Sequence, residues 1–242
     1  MLTTASSIGR GHGRVRPICD TCDDRRVPDT PLIALSGPVG AGKSTVLAAL
    51  AAGLRFRAWP ERVADNPFFA RFAEDRAAWA FRSQAAFVLG ATEDAVAARR
   101  AGVGAVIERP PQEMLGVFVR FLEDGGLLDR DEVRMLTRIV AFGEGLGGVP
   151  DLVVALHAAP GTLLERIRAR NSTDRDLYSL DDLERLAAAY GKWISAWDRS
   201  PVLELDIEAR DLRERSEVTR LASEVQEVLS RHQRPARAVG PR

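Results

Sequence analysis

The sequence predicts an α/β protein: a parallel β-sheet wrapped by helices. Three observations predict it. The glycine-rich turn Gly37-Pro38-Val39-Gly40-Ala41-Gly42-Lys43-Ser44-Thr45 separates an apolar run, Leu32-Ile33-Ala34-Leu35, from a run of strong helix formers, Thr45 to Ala52. Further short strand-like runs stand at 54–59, 103–107, 152–156 and 201–206, with helical patterns between them. The chain has 242 residues, 45% of them hydrophobic and 28% charged, enough to bury the core such a fold needs. Three regions are expected: a flexible extension over residues 1–30, a folded domain over 31–231, and a polar, disordered tail over 232–242.

The first strand and its turn carry the strongest chemical signal. Gly37, four residues, then Gly42-Lys43-Ser44 is the spacing of a phosphate-binding loop, and the flanking strand and helix supply its required context. Glycines let successive backbone N–H groups turn inward, and the helix start adds unpaired N–H groups and the positive end of its dipole. Gly37, Val39, Gly40, Ala41, Gly42, Lys43, Ser44 and Thr45 are therefore expected to cradle a polyphosphate such as ATP. Lys43 is expected to reach the β- and γ-phosphates, and the Ser44 hydroxyl to ligate Mg²⁺. The bland alternative, a glycine turn with no ligand, is disfavoured by that context.

Composition narrows the partners. Lys and Arg number 34 and Asp and Glu number 34, a balance that argues against a dedicated nucleic-acid binder, which would carry a basic stripe. No apolar run is long enough to span a bilayer, so no membrane partner is expected. The amino terminus shows no apolar signal segment, and a cytoplasmic protein is expected. Two cysteines make no disulfide framework. Both lie in Cys19-Asp20-Thr21-Cys22, with His12 upstream; three ligands fall short of a structural zinc site, and two free thiols are the favoured reading.

The second run, Leu54 to Trp59, alternates as a strand and ends at Pro60-Glu61-Arg62. Ligands of open parallel sheets gather beyond the carboxyl ends of strands, so Glu61 is a candidate general base, with an ordinary surface glutamate as the alternative. From Trp79 apolar residues recur at helical spacing and enclose Gln84, whose amide needs partners in a buried network or on a ligand base. The third run, Val103 to Ile107, ends at Glu108-Arg109-Pro110, a carboxylate and guanidinium suited to Mg²⁺ and phosphate. Helices are expected over about 112–124 and 129–143, then a break from Gly143 to Pro150 and the fourth strand at 152–156. The next helix, from Pro160, sets Arg166 and Arg170 on one face ahead of a polar patch, Asn171 to Asp176, that could form a mobile flap. A helix from Leu180 to about Trp197, a fifth strand over 201–206 and an amphipathic last helix through Val218, Leu221, Val225 and Leu229 complete the order.

From about Pro31 to Asp206 the order of these features resembles the deoxynucleoside kinase family. Asn66-Pro67-Phe68 through Asp75, then Trp79-Ala80-Phe81 and Gln84-Ala85-Ala86-Phe87, is similar to that family's Asn-Pro … Asp … Trp-(Ala/Ser)-Phe … Gln signature. Pro150-Asp151-Leu152, Arg166-Ile167-Arg168-Ala169-Arg170 and Ser200-Pro201-Val202 match further. The resemblance implies a P-loop kinase fold with a five-stranded parallel sheet in the order 2-3-1-4-5, a small closing lid, and usually a homodimer. It implies transfer of the γ-phosphate of ATP, with Mg²⁺, to a nucleoside 5′-hydroxyl. Glu61 falls on the family's base, Glu108 and Arg109 on its Asp/Glu-Arg-Ser motif, Gln84 on the amide that meets the nucleobase, and Arg166 and Arg170 on lid arginines. Phe87 and Met114 fall on the substrate pocket.

The departures cluster on sugar and base recognition. Pro110 stands third in the Asp/Glu-Arg-Ser motif, Ala73 where members that bind the 3′-hydroxyl carry Tyr, and Ser172 in the lid's Arg-Gly-Arg pattern. The lid glutamate is missing, with Asp174, Arg175 and Asp176 nearby, and Ala91 and Met114 replace the Arg and Asp that set base preference. Loss of a buried hydroxyl contact shifts substrate preference strongly. Three readings follow in order of preference: a kinase acting on a deoxynucleoside or modified nucleoside, a phosphotransferase on a non-nucleoside small molecule, and a non-catalytic nucleotide-binding protein.

Overall fold

A computed structural model describes residues 30–169 and 177–232 of the chain. The Cys19–Cys22 segment, Arg170, the patch from Asn171 to Asp176 with its lid replacements, and the tail after His232 lie outside the described residues.

The sheet forms because the apolar runs are short, β-branched and separated by helices, which leaves parallel pairing as the way to bury both faces. In chain order the elements are β1 (Leu32–Ser36), α1 (Lys43–Leu54), β2 (Arg57–Trp59), α2 (Phe69–Glu74), α3 (Arg76–Arg100) and β3 (Ala105–Glu108). A continuous helical run follows, made of α4 (Pro111–Glu113), a π-helical stretch (Met114–Val119) and α5 (Arg120–Asp124). Next come α6 (Arg130–Gly145), β4 (Leu152–His157), α7 (Pro160–Ala169), α8 (Leu180–Ala196), β5 (Val202–Asp206) and α9 (Arg215–His232). The five strands pair in parallel in the order β2-β3-β1-β4-β5, as the resemblance implies. β1 is wholly buried and β2 is an exposed edge.

The third strand, expected over 103–107, runs Ala105–Glu108, and the second is shortened further. The run from Leu54 reads as a strand, but Leu54 closes α1 with its side chain buried. Arg55 then turns the chain at φ 57°, and Phe56 N–H bonds back to Ala51 O at 2.9 Å. Helix termination by a left-handed residue costs less here than losing Leu54 from the core. Only Arg57 to Trp59 are left for the strand.

Apolar side chains pack on both faces of the sheet. On one side α1, α7, α8 and α9 bring Leu50, Ile167, Leu186 and Leu221 onto Ile33 and Val154. On the other, Ala95 and Ala98 of α3 pack on Leu32, Ala34, Ile107 and Val153, and beyond them α3 and α6 join the 114–122 run in a further cluster around Val88, Leu136 and Val119. The Asn-Pro-Phe signature is structural: Asn66 Nδ2 donates to Ser83 O at 3.1 Å and Ser83 Oγ at 3.2 Å, and Asn66 Oδ1 accepts from Phe68 N–H. Asp75 caps α3 by accepting from Ala78 N–H.

The amino ends of the central strands are clamped by Arg99. Its guanidinium donates to Thr30 O, Gly147 O and Val149 O and pairs with Asp151 at 2.6 Å, while Asp151 accepts from Leu32 N–H. The Arg99 side chain is 9% exposed, so its loss strands several buried carbonyls. Arg99→Ala is expected to lower unfolding free energy by about 2–3 kcal/mol, since hydrogen bonds to charged groups contribute about 1.5–3 kcal/mol. Activity per folded molecule should hold, and denaturant unfolding beside a turnover assay checks both.

Candidate active site

Register places the site. Trp59 of β2 lies beside Ile107 of β3, and Glu108 beside Leu35 of β1. The segments leaving these three neighbouring ends are therefore Pro60-Glu61, Arg109-Pro110 and Gly37, all on one rim of the sheet. The sequence alternates strand and helix, so every strand enters from the same side and ends there.

The glycine loop is shaped as its composition requires. Gly37 and Gly40 take φ values of +147° and +86°, and a Cβ at either would sit within 3 Å of a backbone oxygen, of Leu156 or Leu163. Gly42 at φ 77° precedes α1, and Thr45 and Val46 N–H turn back to Gly42 O. Lys43 is buried, its ammonium donating to Gly37 O at 2.9 Å and Pro38 O at 3.0 Å. Burial, aided by the charge of Arg109, brings its pKa down to about 8 against the opposing pull of Glu113, Glu61 and Glu108. The Ser44 hydroxyl meets the Glu108 carboxylate at 3.2 and 3.3 Å.

Arg109 is the hub of the site. Its φ of 57° is a left-handed conformation that costs a non-glycine residue about 1–3 kcal/mol, and its N–H is anchored on Leu35 O at 2.9 Å. Arg109 Nε lies 2.9 Å from Glu61 Oε1, an ion pair without the alignment of a hydrogen bond. Arg109 Nη1 reaches Glu113 Oε1 at 2.9 Å and the Tyr190 hydroxyl at 3.0 Å, and the guanidinium lies over the Phe118 ring at 4.6 Å. Burial opposes its charge, but Glu61, Tyr190 and Glu113 together outweigh burial and hold its pKa well above the ordinary value. Arg62, next to Glu61, pairs with Asp94 of α3 at 2.9 Å and so ties the Glu61 loop down.

A hollow of about 410 Å³ opens onto these groups. Val39, Gly40, Gly42, Lys43 and Ser44 line it on the loop side, with Glu61, Glu108 and Arg109 on the rim. Gln84, Phe87 and Met114 line the far side with further aromatic residues, among them Phe69 and Tyr178. Phe69 and Phe87 meet edge to face at 5.4 Å. Gln84 is buried, and its Oε1 has no hydrogen-bond partner among the described residues. Gly37 is buried beneath the loop, where its carbonyl meets Lys43 and Tyr190.

Arg166 stands apart from this hollow. It lines a second, wider one of about 760 Å³ on the other flank of the loop, with Ala41, Thr45, Arg210 and Arg213. Arg210 is held by Glu217 and Glu224, each at 2.8 Å. The sequence reading missed Arg210, Glu113 and Tyr190. Glu113 stands four residues after Arg109 in a helix opened by prolines, a spacing that could have flagged it. Tyr190 comes from α8, 81 positions beyond Arg109, and nothing local marks it.

The residues fit a hard cation held jointly with phosphate. Ser44 and Glu108 offer two oxygen ligands beside the cradle, as Mg²⁺ prefers when substrate phosphates complete its shell. Among the described residues no group of three or more His, Cys, Asp or Glu forms a cage of its own. The described helices include none long and apolar enough to cross a membrane.

Phosphate cradle, rim carboxylates and an apolar hollow with one amide fit a phosphotransferase. The family model for deoxynucleoside kinases matches residues 33–230, and the chain belongs to that family. It is 29% identical over 191 residues to the deoxyadenosine/deoxycytidine kinase of Bacillus subtilis (strain 168), covering 78% of this chain and 88% of the relative. It is also 29% identical over 184 residues to a deoxyguanosine kinase of Lactobacillus johnsonii, covering 72% and 81%. Among solved structures, deoxyadenosine kinase from M. mycoides with bound dCTP superposes with a TM-score of 0.69 at 20% identity, over 81% of this chain and all of that one.

Proposed function

We propose that the chain transfers the terminal phosphoryl group of ATP to the 5′-hydroxyl of a deoxynucleoside, with residues 31–231 as the catalytic domain. The observation that carries this reading is that Lys43, Ser44, Glu61, Glu108 and Arg109 line one hollow that also holds Gln84 and Phe87. The loop N–H groups and Lys43 seat the β- and γ-phosphates, with Lys43 trading its two carbonyl partners for phosphate oxygens. Glu61 takes the acceptor's proton, and Arg109 steadies Glu61 on one side and the moving phosphoryl group on the other. Mg²⁺, held by Ser44 and Glu108, would offset charge on the phosphates. Arg166 braces the donor from the second hollow.

The base meets Gln84, whose amide offers a donor and an acceptor side by side. The relatives' names divide between deoxyadenosine, deoxycytidine and deoxyguanosine, so the preferred base follows from this chain's own wall, where Met114 carries no charge, and from the adjoining hollow that Ala91 lines. The test is an ATP-consumption screen across deoxynucleosides, modified nucleosides and non-nucleoside alcohols, with Glu61→Gln alongside. Turnover confined to one nucleoside class fixes the substrate. Turnover only on non-nucleoside alcohols, or tight ATP binding with no turnover, would overturn the proposal.

A kinase that consumes ATP acts where ATP is supplied, which favours the cytoplasm. A homodimer is proposed across α3 and α6, where Leu89, Met135 and Phe142 are exposed, Phe142 by 70%. Met135 and Phe142 are seven apart and share a face of α6. Phe142→Glu is expected to convert the dimer to a monomer in sedimentation or sizing.

A further inference from the structure

The Arg109 guanidinium is divided between two carboxylates, and only one of them faces the hollow. Glu61 lines it. Glu113 is fully buried behind it, bonded to Arg109 Nη1 at 2.9 Å and to the Tyr190 hydroxyl. Tyr190 also accepts from Arg109 at 3.0 Å and lies 2.8 Å from Gly37 O, the carbonyl that accepts from Lys43. The phenol has one proton for two acceptors, and the carboxylate is the stronger one. Phe118 closes the network by covering Arg109 at 4.6 Å and meeting Tyr190 edge to face at 6.2 Å.

We infer that Glu113 and Tyr190 are positioning residues that set the aim of Arg109 and limit how strongly it binds Glu61. This rests on the reading of Glu61 as general base. A guanidinium with one carboxylate partner would close fully on Glu61, stabilise its charge and leave it a poor base. Glu113 draws part of that charge back. Tyr190 in turn satisfies part of Glu113, so that Glu113 does not draw the guanidinium away altogether. Burial holds the Glu113 pKa above the ordinary carboxylate value, against the opposing pull of Arg109, Lys43, Tyr190 and Ser36. A lone buried carboxylate beside a phosphate loop is a liability, and its pairing here gives it a mechanical use.

The experiment compares wild type, Glu113→Gln, Tyr190→Phe and Glu61→Gln with ATP and the best nucleoside from the screen, from pH 4.5 to 9. The groups facing Glu61 and its partner across that range are Arg109, Glu113, Lys43, Glu108 and Tyr190. In Glu113→Gln the undivided Arg109 pairs more closely with Glu61 and holds its carboxylate charged. The acidic limb of kcat therefore moves to lower pH, and kcat at the plateau falls about 10- to 100-fold, within the range of general-base catalysis. Nucleoside KM stays within about threefold of wild type, because the base hollow is untouched. Tyr190→Phe removes one oxygen and leaves the ring packing. Glu113 then pulls harder on Arg109, the limb moves to higher pH, and kcat falls several-fold. Opposite displacements of the limb are what a mere loosening of the fold would not produce. The inference is overturned if both variants keep kcat and limb within twofold of wild type, or if both limbs move the same way. Retained turnover in Glu61→Gln instead defeats the general-base reading itself, whatever the other two variants do.

Discussion

Glu61→Gln lowers kcat by about 10²–10⁴-fold, the range supplied by a positioned general base. The substitution keeps the shape and the contact with Arg109 but removes the proton-accepting charge. Glu61 is mostly enclosed and held 2.9 Å from Arg109, and Arg62 ties the neighbouring backbone to Asp94, so the loop should stay in place. ATP affinity should change little, because the loop and Lys43 bind the phosphates. Steady-state kinetics beside calorimetric ATP titration separates the two. A large loss of ATP binding with unchanged kcat would mean that Glu61 shapes the phosphate cradle and takes no proton.

Lys43→Met is expected to reduce kcat/KM by about 10²–10³-fold, the scale for removing one preorganised donor from a transition-state site. It should also stabilise the nucleotide-free protein near neutral pH, since a buried ammonium disappears. The pH dependence follows from the pKa of about 8 in the folded chain against 10.5 for an ordinary lysine. Between those values the unfolded chain holds a proton that the folded chain has released. Stability arising from this group therefore rises with pH from about 8 to 10.5, and below 8 its full penalty is present. Denaturant melts of wild type and Lys43→Met across pH 7–10 should converge as pH rises. Parallel curves would show that Lys43 is not strained by burial.

Much of the site was legible because its chemistry is local in sequence. The loop from Gly37 to Thr45 states its own backbone requirements, and Glu61, Glu108 and Arg109 follow directly on strand ends, where parallel topology must bring them together. Gln84 stood out as a polar residue within an apolar helical pattern. The start of β2 was misplaced because Leu54 and Phe56 alternate like a strand, whereas Leu54 is retained by the core as the end of α1. Tyr190 was unreadable for a different reason. It reaches Gly37 across 153 positions, and a single aromatic on an amphipathic helix is ordinarily packing. The spacing of Glu113 from Arg109 hints at a pair, but only the folded sheet shows that its side chain is sealed beneath the loop.

The Arg99 clamp has a practical corollary. It fastens the amino ends of the central strands, opposite the rim where the reaction site lies, and shares no residue with the hollow lined by Lys43 and Glu61. Robustness and turnover thus have separate handles in this molecule. A thermostable version could be engineered by reinforcing the Thr30, Val149 and Asp151 neighbourhood, with the acceptor preference then reshaped independently at Ala91 and Met114.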